Sequence, residues 1–137
     1  MKAGQQALEI AKIGGKGAMY QTWPPTSRPQ DFESSILSYE LAAADINGVV
    51  IPVARAWLET WKRDPNAPLY AADGLHASVN GSYLAAVVMY ATILNRSPVG
   101  LPARLRTRAG NVVTVDPTLA RVLQEAAATV TVSASRR

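Results

Sequence analysis

The amino-acid sequence predicts an α/β domain built on a few parallel strands with flanking helices. Three observations predict it. Apolar segments of strand length alternate with segments of helical periodicity. The segment Gly48–Pro52 (GVVIP) is apolar throughout, the composition of a strand buried on both faces of a parallel sheet. Of the 137 residues, 48% are hydrophobic and 18% charged, which supports one domain, residues 1–137, with a core of its own and argues against disorder.

Taken in order, the chain opens with a helix over residues 4–13 (GQQALEIAKI). Ala7, Leu8, Ile10 and Ile13 recur there at helical spacing, and Gly14-Gly15 stops it. Gly17–Trp23 (GAMYQTW), bounded by glycine and Pro-Pro, reads as a strand, and PPTSRP as a loop. Asp31–Asp45 is the next helix, with Asp31 as its N-cap. After Gly48–Pro52, the run ARAWLETW is a short helix ending at Asp64-Pro65. The string AADGLHASVNGS leads into a helix from about Ser82 to Leu94, which Asn95 terminates. A basic segment follows. The last helix runs from Pro117 to about Ala128, with Asp116 as N-cap and Pro117 at the first position, where a missing amide costs nothing.

Only two strands are visible in this order. Two parallel strands leave both edges unpaired and cannot separate two helical layers, so the expectation is part of a sheet. Exposed edges further predict self-association or complementation by another chain.

Composition narrows the function. A net charge of +4 is a weak bias toward anions, carried largely by Arg104, Arg106, Arg108, Arg121, Arg136 and Arg137. With no cysteine and one histidine, neither a disulfide framework nor a metal site is expected, and no cofactor is implied. The longest apolar run, Tyr83 to Leu94, is short of the roughly 18 residues a membrane span needs. The opening MKAGQQALEI lacks a signal-peptide profile, so a soluble, by default cytoplasmic, protein is expected. Gly14-Gly15-Lys16-Gly17 lacks phosphate-loop spacing. Trp23, Trp57 and Trp61 are expected in core packing rather than in a pocket. Arg104, Arg106 and Arg108 alternate; with no aromatic interleaving, a solvated edge whose charges discourage strand pairing accounts for them better than nucleic-acid contact.

The chemistry centres on the single histidine, His76, with Asp73 three residues before it and Gly74 between. In a turn, this spacing folds the carboxylate back onto imidazole Nδ1, fixes the tautomer and leaves Nε2 as a proton acceptor. Ser78, Asn80 and Gly81 then lead into an apolar helix. As a bare spacing, D-x-x-H is weak, and more often a surface turn without function.

The surrounding string, LYAADGLHASVNGSYLAAVVMYATIL, resembles the last conserved block of SGNH (GDSL-like) serine hydrolases, in which D-G-x-H-P-S precedes a Gly-Ser-Tyr-Leu helix. The likeness extends upstream through MYQTW, YELAAA and IPVARAW and downstream to NRSPVGLP, covering about residues 17–102; a basic segment and helix, 103–137, follow. The resemblance implies a three-layer, flavodoxin-like fold and the hydrolysis of a small carboxylic ester through acyl transfer to serine. His76 would be the general base and then the acid, and Asp73 its orienter. Ala77 stands where the family commonly has proline, and Val79-Asn80 where proline or alanine is frequent.

The family's Gly-Asp-Ser or Gly-Asn-Ser nucleophile block occurs nowhere in the sequence, and its oxyanion-hole glycine and asparagine blocks have no counterpart. The chain is therefore expected to match the C-terminal half of the fold, with the serine supplied by a resident residue, a partner chain or a missing N-terminal half. Among resident serines, Ser34, Ser35 and Ser38 fall on a helix face, and Ser82 opens another helix. Ser78 is foremost an N-cap and the weaker nucleophile candidate. Ser27 is the first candidate, because its loop opens at a strand's C-terminal end, where α/β sites gather. The alternative is a catalytically inactive homologue that persists as a binding or interaction module.

Overall fold

The computed structural model describes residues 2–134, with side chains as far as residue 132. Arg136 and Arg137, counted above in the late positive charge, lie outside the described residues. In order the elements are α1 (Ala3–Lys12), β1 (Ala18–Tyr20), a 3-10 turn (Pro29–Asp31), α2 (Phe32–Asp45), β2 (Val49–Ile51), α3 (Val53–Arg63), α4 (Val79–Leu94), β3 (Arg104–Arg106), β4 (Val112–Thr114) and α5 (Pro117–Ala134). The chain is mixed α/β. β1 and β2 pair in parallel through the α2 crossover, with Ala18 opposite Val49 and Tyr20 opposite Ile51.

Strands of three residues bury little, and of these six residues only Ile51 is buried. The core lies instead where α3, α4 and α5 meet, around Val53, Trp57, Leu84, Val88 and Leu123, with Ile36 and Leu69 completing it. Trp57 is fully buried; it stacks on Trp23 at 4.1 Å between ring centroids and meets Trp61 and Tyr70 edge-on. The three tryptophans thus form one packed cluster, the core role expected of them. Edge-on and offset ring contacts of this kind contribute about 0.5–1.5 kcal/mol each beyond area burial.

The basic segment departs from expectation. β3 pairs with β4 in an antiparallel hairpin, with Arg104 opposite Thr114 and Arg106 opposite Val112. The charges do not prevent pairing, because no arginine faces another across the ladder. The turn residue Gly110 takes a positive φ of 89°, and Thr107 Oγ1 accepts the Asn111 N–H, closing the loop. The run VVT supplied the overlooked strand signal.

Helix ends differ by their local chemistry. Asp31 does not cap α2 with its side chain. The preceding 3-10 turn puts its own backbone in the helical region, and its carboxylate instead meets Arg28 at 2.6 Å. α3 begins after Pro52 without a capping side chain of its own; buried Gln21, just after β1, offers Oε1 to the Arg55 N–H at 3.4 Å. α4 starts at Val79, earlier than Ser82, because Ser78 Oγ accepts the Gly81 N–H at 3.2 Å. Asn95 ends it in the left-handed region, at φ 51°. Asp116 caps α5 as expected, accepting the Leu119 N–H at 3.0 Å. That helix continues to Ala134 rather than stopping near Ala128: buried Ala126 and Ala127 hold it in the core, and Thr131 Oγ1 returns a hydrogen bond to the Ala127 carbonyl. Among the described residues, no helix is long and apolar enough to cross a membrane.

Candidate functional site

The Asp73–His76 turn sits at the tip of a small loop between α3 and α4. The loop is closed at its base by the Ser78 N–H donating to the Leu69 carbonyl (2.8 Å), and above that by Ala71 N–H donating to the His76 carbonyl (2.8 Å). Ser78 Oγ donates to the Pro68 carbonyl at 2.6 Å while capping α4, so the same residue fixes the loop and starts the helix. Gly74 turns the chain at φ 68°, a conformation glycine adopts at little cost.

Within the turn, Asp73 has both oxygens engaged. Oδ1 accepts the backbone N–H of Leu75 and of His76, each at 2.9 Å, which pins the carboxylate. Oδ2 faces His76 Nδ1 at 2.6 Å. That contact places the ring proton on Nδ1 and leaves Nε2 as the open acceptor. The His76 hydrogen bond, then the two backbone N–H groups, hold the Asp73 carboxyl below its ordinary value, at about 2. The pair is open to solvent: 77% of the His76 side chain and 50% of that of Asp73 are exposed.

A second loop is stitched to this one. Thr26 N–H donates to the Gly74 carbonyl (2.8 Å), Trp23 Nε1–H to the Leu75 carbonyl (2.9 Å), and the Tyr70 hydroxyl to the Pro24 carbonyl (2.6 Å). Three bonds across some fifty residues of sequence therefore hold the loop after β1 against the Asp73–His76 turn. Ser27 is next to Thr26 and exposed, so the loop of the first nucleophile candidate does lie beside the dyad. Its Oγ makes no hydrogen bond to His76. Ser78 has its hydroxyl proton directed at Pro68. Ser34, Ser35 and Ser38 each donate to a backbone carbonyl (Asp31, Thr22 and Ser34), and Ser82 lies on the exposed face of α4. Among the described residues, no serine hydroxyl is hydrogen-bonded to the imidazole.

Thr26, Trp23 and Tyr70 position the site and were not singled out for that role from sequence; nothing in local spacing pairs them with residues 70–75. Gly81 was legible in principle, as a glycine early in a helix whose packing needs it. Leu75 in the turn and Val79 at the start of α4 are both about half exposed. A cleft of about 850 Å³, lined by Lys16, Val50, Arg55, Arg96 and Pro98 among others, does not include the dyad. The Asp73–His76 pair thus stands on open surface, where it can accept a proton but excludes no water. Among the described residues, no group of three or more His, Asp or Glu side chains could hold a metal ion. Compared with known protein families, characterised proteins and solved structures, the chain matches none.

Proposed function

We propose that this chain carries the acid–base apparatus of an SGNH-type serine ester hydrolase acting on a small carboxylic ester. The observation that supports the reading is the 2.6 Å contact between Asp73 Oδ2 and His76 Nδ1, with the carboxylate held by two further N–H groups. An aspartate that accepts only from solvent would rotate; this one is aimed. His76 Nε2 takes the proton of a serine hydroxyl as its oxygen bonds to the ester carbonyl carbon. When the tetrahedral intermediate collapses, the carbon–alkoxide bond breaks and the same proton leaves with the alcohol. Water then attacks the acyl-serine, giving its proton to Nε2, and the carboxylic acid departs as the serine is reprotonated. Asp73 stays ionised throughout and stabilises the imidazolium. Ser27 is the resident nucleophile to test, since its loop is bonded to the turn that carries His76; a second copy or a complementing chain is the other source.

The inactive binding module is the second reading, favoured by the absence of a serine hydroxyl at the imidazole among the described residues. The two separate cleanly. The purified chain is treated with a fluorophosphonate probe and any adduct is located by mass spectrometry. One labelled serine, lost in His76→Ala, supports the hydrolase; no labelling, or labelling indifferent to that change, supports the binding module.

A further inference from the structure

α4 is unlike the other surface helices. Outward-facing positions of a surface helix ordinarily carry the charges. α3 follows this pattern, exposing Lys62 and Arg63, and α5 exposes Arg121. α4 has 16 residues and no charge at all. Its inner face packs into the core through Leu84, Val88 and Ala91. Its exposed residues are Val79, Ser82, Ala86, Met89, Ile93 and Leu94. From Val79 to Ile93 the steps are three, four, three and four, the spacing of a coiled-coil seam. The helix is apolar on both faces, as a helix enclosed on both sides would be.

We propose that this stripe is the interface between two copies of the chain, packed antiparallel about a two-fold axis passing at Ala86. In that register Val79 faces Ile93 of the second copy, and the same contact recurs across the axis, as an isologous interface requires. Ala86, on the axis, is small, so the backbones can approach closely there, and the bulk of Met89 enters the space that Ser82 of the second copy leaves. Large residues at the two ends, alanine on the axis, Met89 set against Ser82 and no charge to desolvate make the face complementary to itself. Two helices of about 24 Å in contact along their length bury surface near the lower end of specific interfaces, around 1,000 Å² in total. The dimer is therefore reversible and concentration-dependent. The register also carries Leu94 of the second copy toward the N-terminal end of α4, where Val79 is exposed. This surface is distinct from the open strand edges of the sheet.

The test is light scattering of the full chain from micromolar to millimolar concentration. The mass is expected to rise from 14.6 kDa toward twice that value. Ala86→Glu puts two like charges at the axis and weakens association at least roughly tenfold, with the circular dichroism and melting of the parent, since Ala86 is exposed. The chain has no cysteine, so Val79→Cys mixed with Ile93→Cys reports orientation: a disulfide between the two variants is expected on oxidation. The proposal is overturned by a mass that stays at 14.6 kDa, or by an Ala86→Glu chain that associates like the parent. It is equally overturned by Val79→Cys pairing with itself in preference to Ile93→Cys, or by association that Leu41→Glu on α2 abolishes and Ala86→Glu does not.

Discussion

Replacing Gly81 by alanine sets helix propensity against space. Gly81 lies in the first turn of α4, and in a helix alanine is favoured over glycine by about 1 kcal/mol. Propensity alone therefore predicts a more stable protein. The surroundings reverse the sign. A Cβ on Gly81 would be in hard contact with the Leu69 carbonyl oxygen, 2.9 Å from Trp57 Cζ2 and 3.1 Å from Ala77 Cβ. None of these can give way cheaply. The Leu69 oxygen accepts the Ser78 N–H that closes the loop, and Trp57 is fully buried and stacked on Trp23. Overpacking of a tight site costs about 1–3 kcal/mol, and a weakened loop hydrogen bond about 1 kcal/mol more. After subtracting the propensity gain, Gly81→Ala is expected to destabilise by roughly 2 kcal/mol, a fall in melting temperature of about 5–10 °C for a domain of this size. Urea unfolding followed by tryptophan fluorescence measures it directly, since Trp57 and Trp23 report the same contact. A variant as stable as the parent, or more so, would refute the reasoning and show that the loop yields at no cost.

Further outcomes concern Asp73, Ser78 and Gln124. Asp73 should titrate near pH 2 by carboxyl-carbon NMR; His76→Ala should return it only part of the way toward 3.8, because the Leu75 and His76 N–H bonds remain. Since folding lowers this carboxyl's value, its contribution to stability is complete above about pH 4 and is lost as pH falls toward 2, so the pH dependence in that window should flatten in Asp73→Asn. Ser78→Ala should cost about 1 kcal/mol as a lost N-cap yet leave fluorophosphonate labelling of any other serine intact; loss of labelling without loss of stability would instead make Ser78 the nucleophile. Gln124 is buried, with Nε2 donating to the Tyr83 hydroxyl and the Leu101 carbonyl and Oε1 accepting the Gly100 N–H, all at 2.8 Å. Gln124→Leu leaves these groups short of a partner and is expected to destabilise by about 1–3 kcal/mol, read by chemical denaturation; a neutral effect would mean that water replaces the amide.

What sequence alone determined here is chemistry that closes within a few residues. The Asp73–His76 contact spans three positions, with glycine where the turn needs it; the Ser78 and Asp116 caps span three as well, and the Asn95 stop is one residue's conformation. The strand–helix alternation was legible for the same reason, as each period is a property of a short window. Asp31 shows the limit: the residue type was right for a cap, but a 3-10 turn just before it took away the required backbone geometry. Only the tertiary structure decided which distant segments meet. Trp23 and Thr26 bind the turn at Leu75 and Gly74 from about fifty residues away, the β3–β4 hairpin pairs despite its arginines, and the core moves to α3, α4 and α5 because the parallel strands are too short to bury one. Such contacts carry no local signature, since the free energy that selects them comes from burying surfaces against each other rather than from any one stretch of chain.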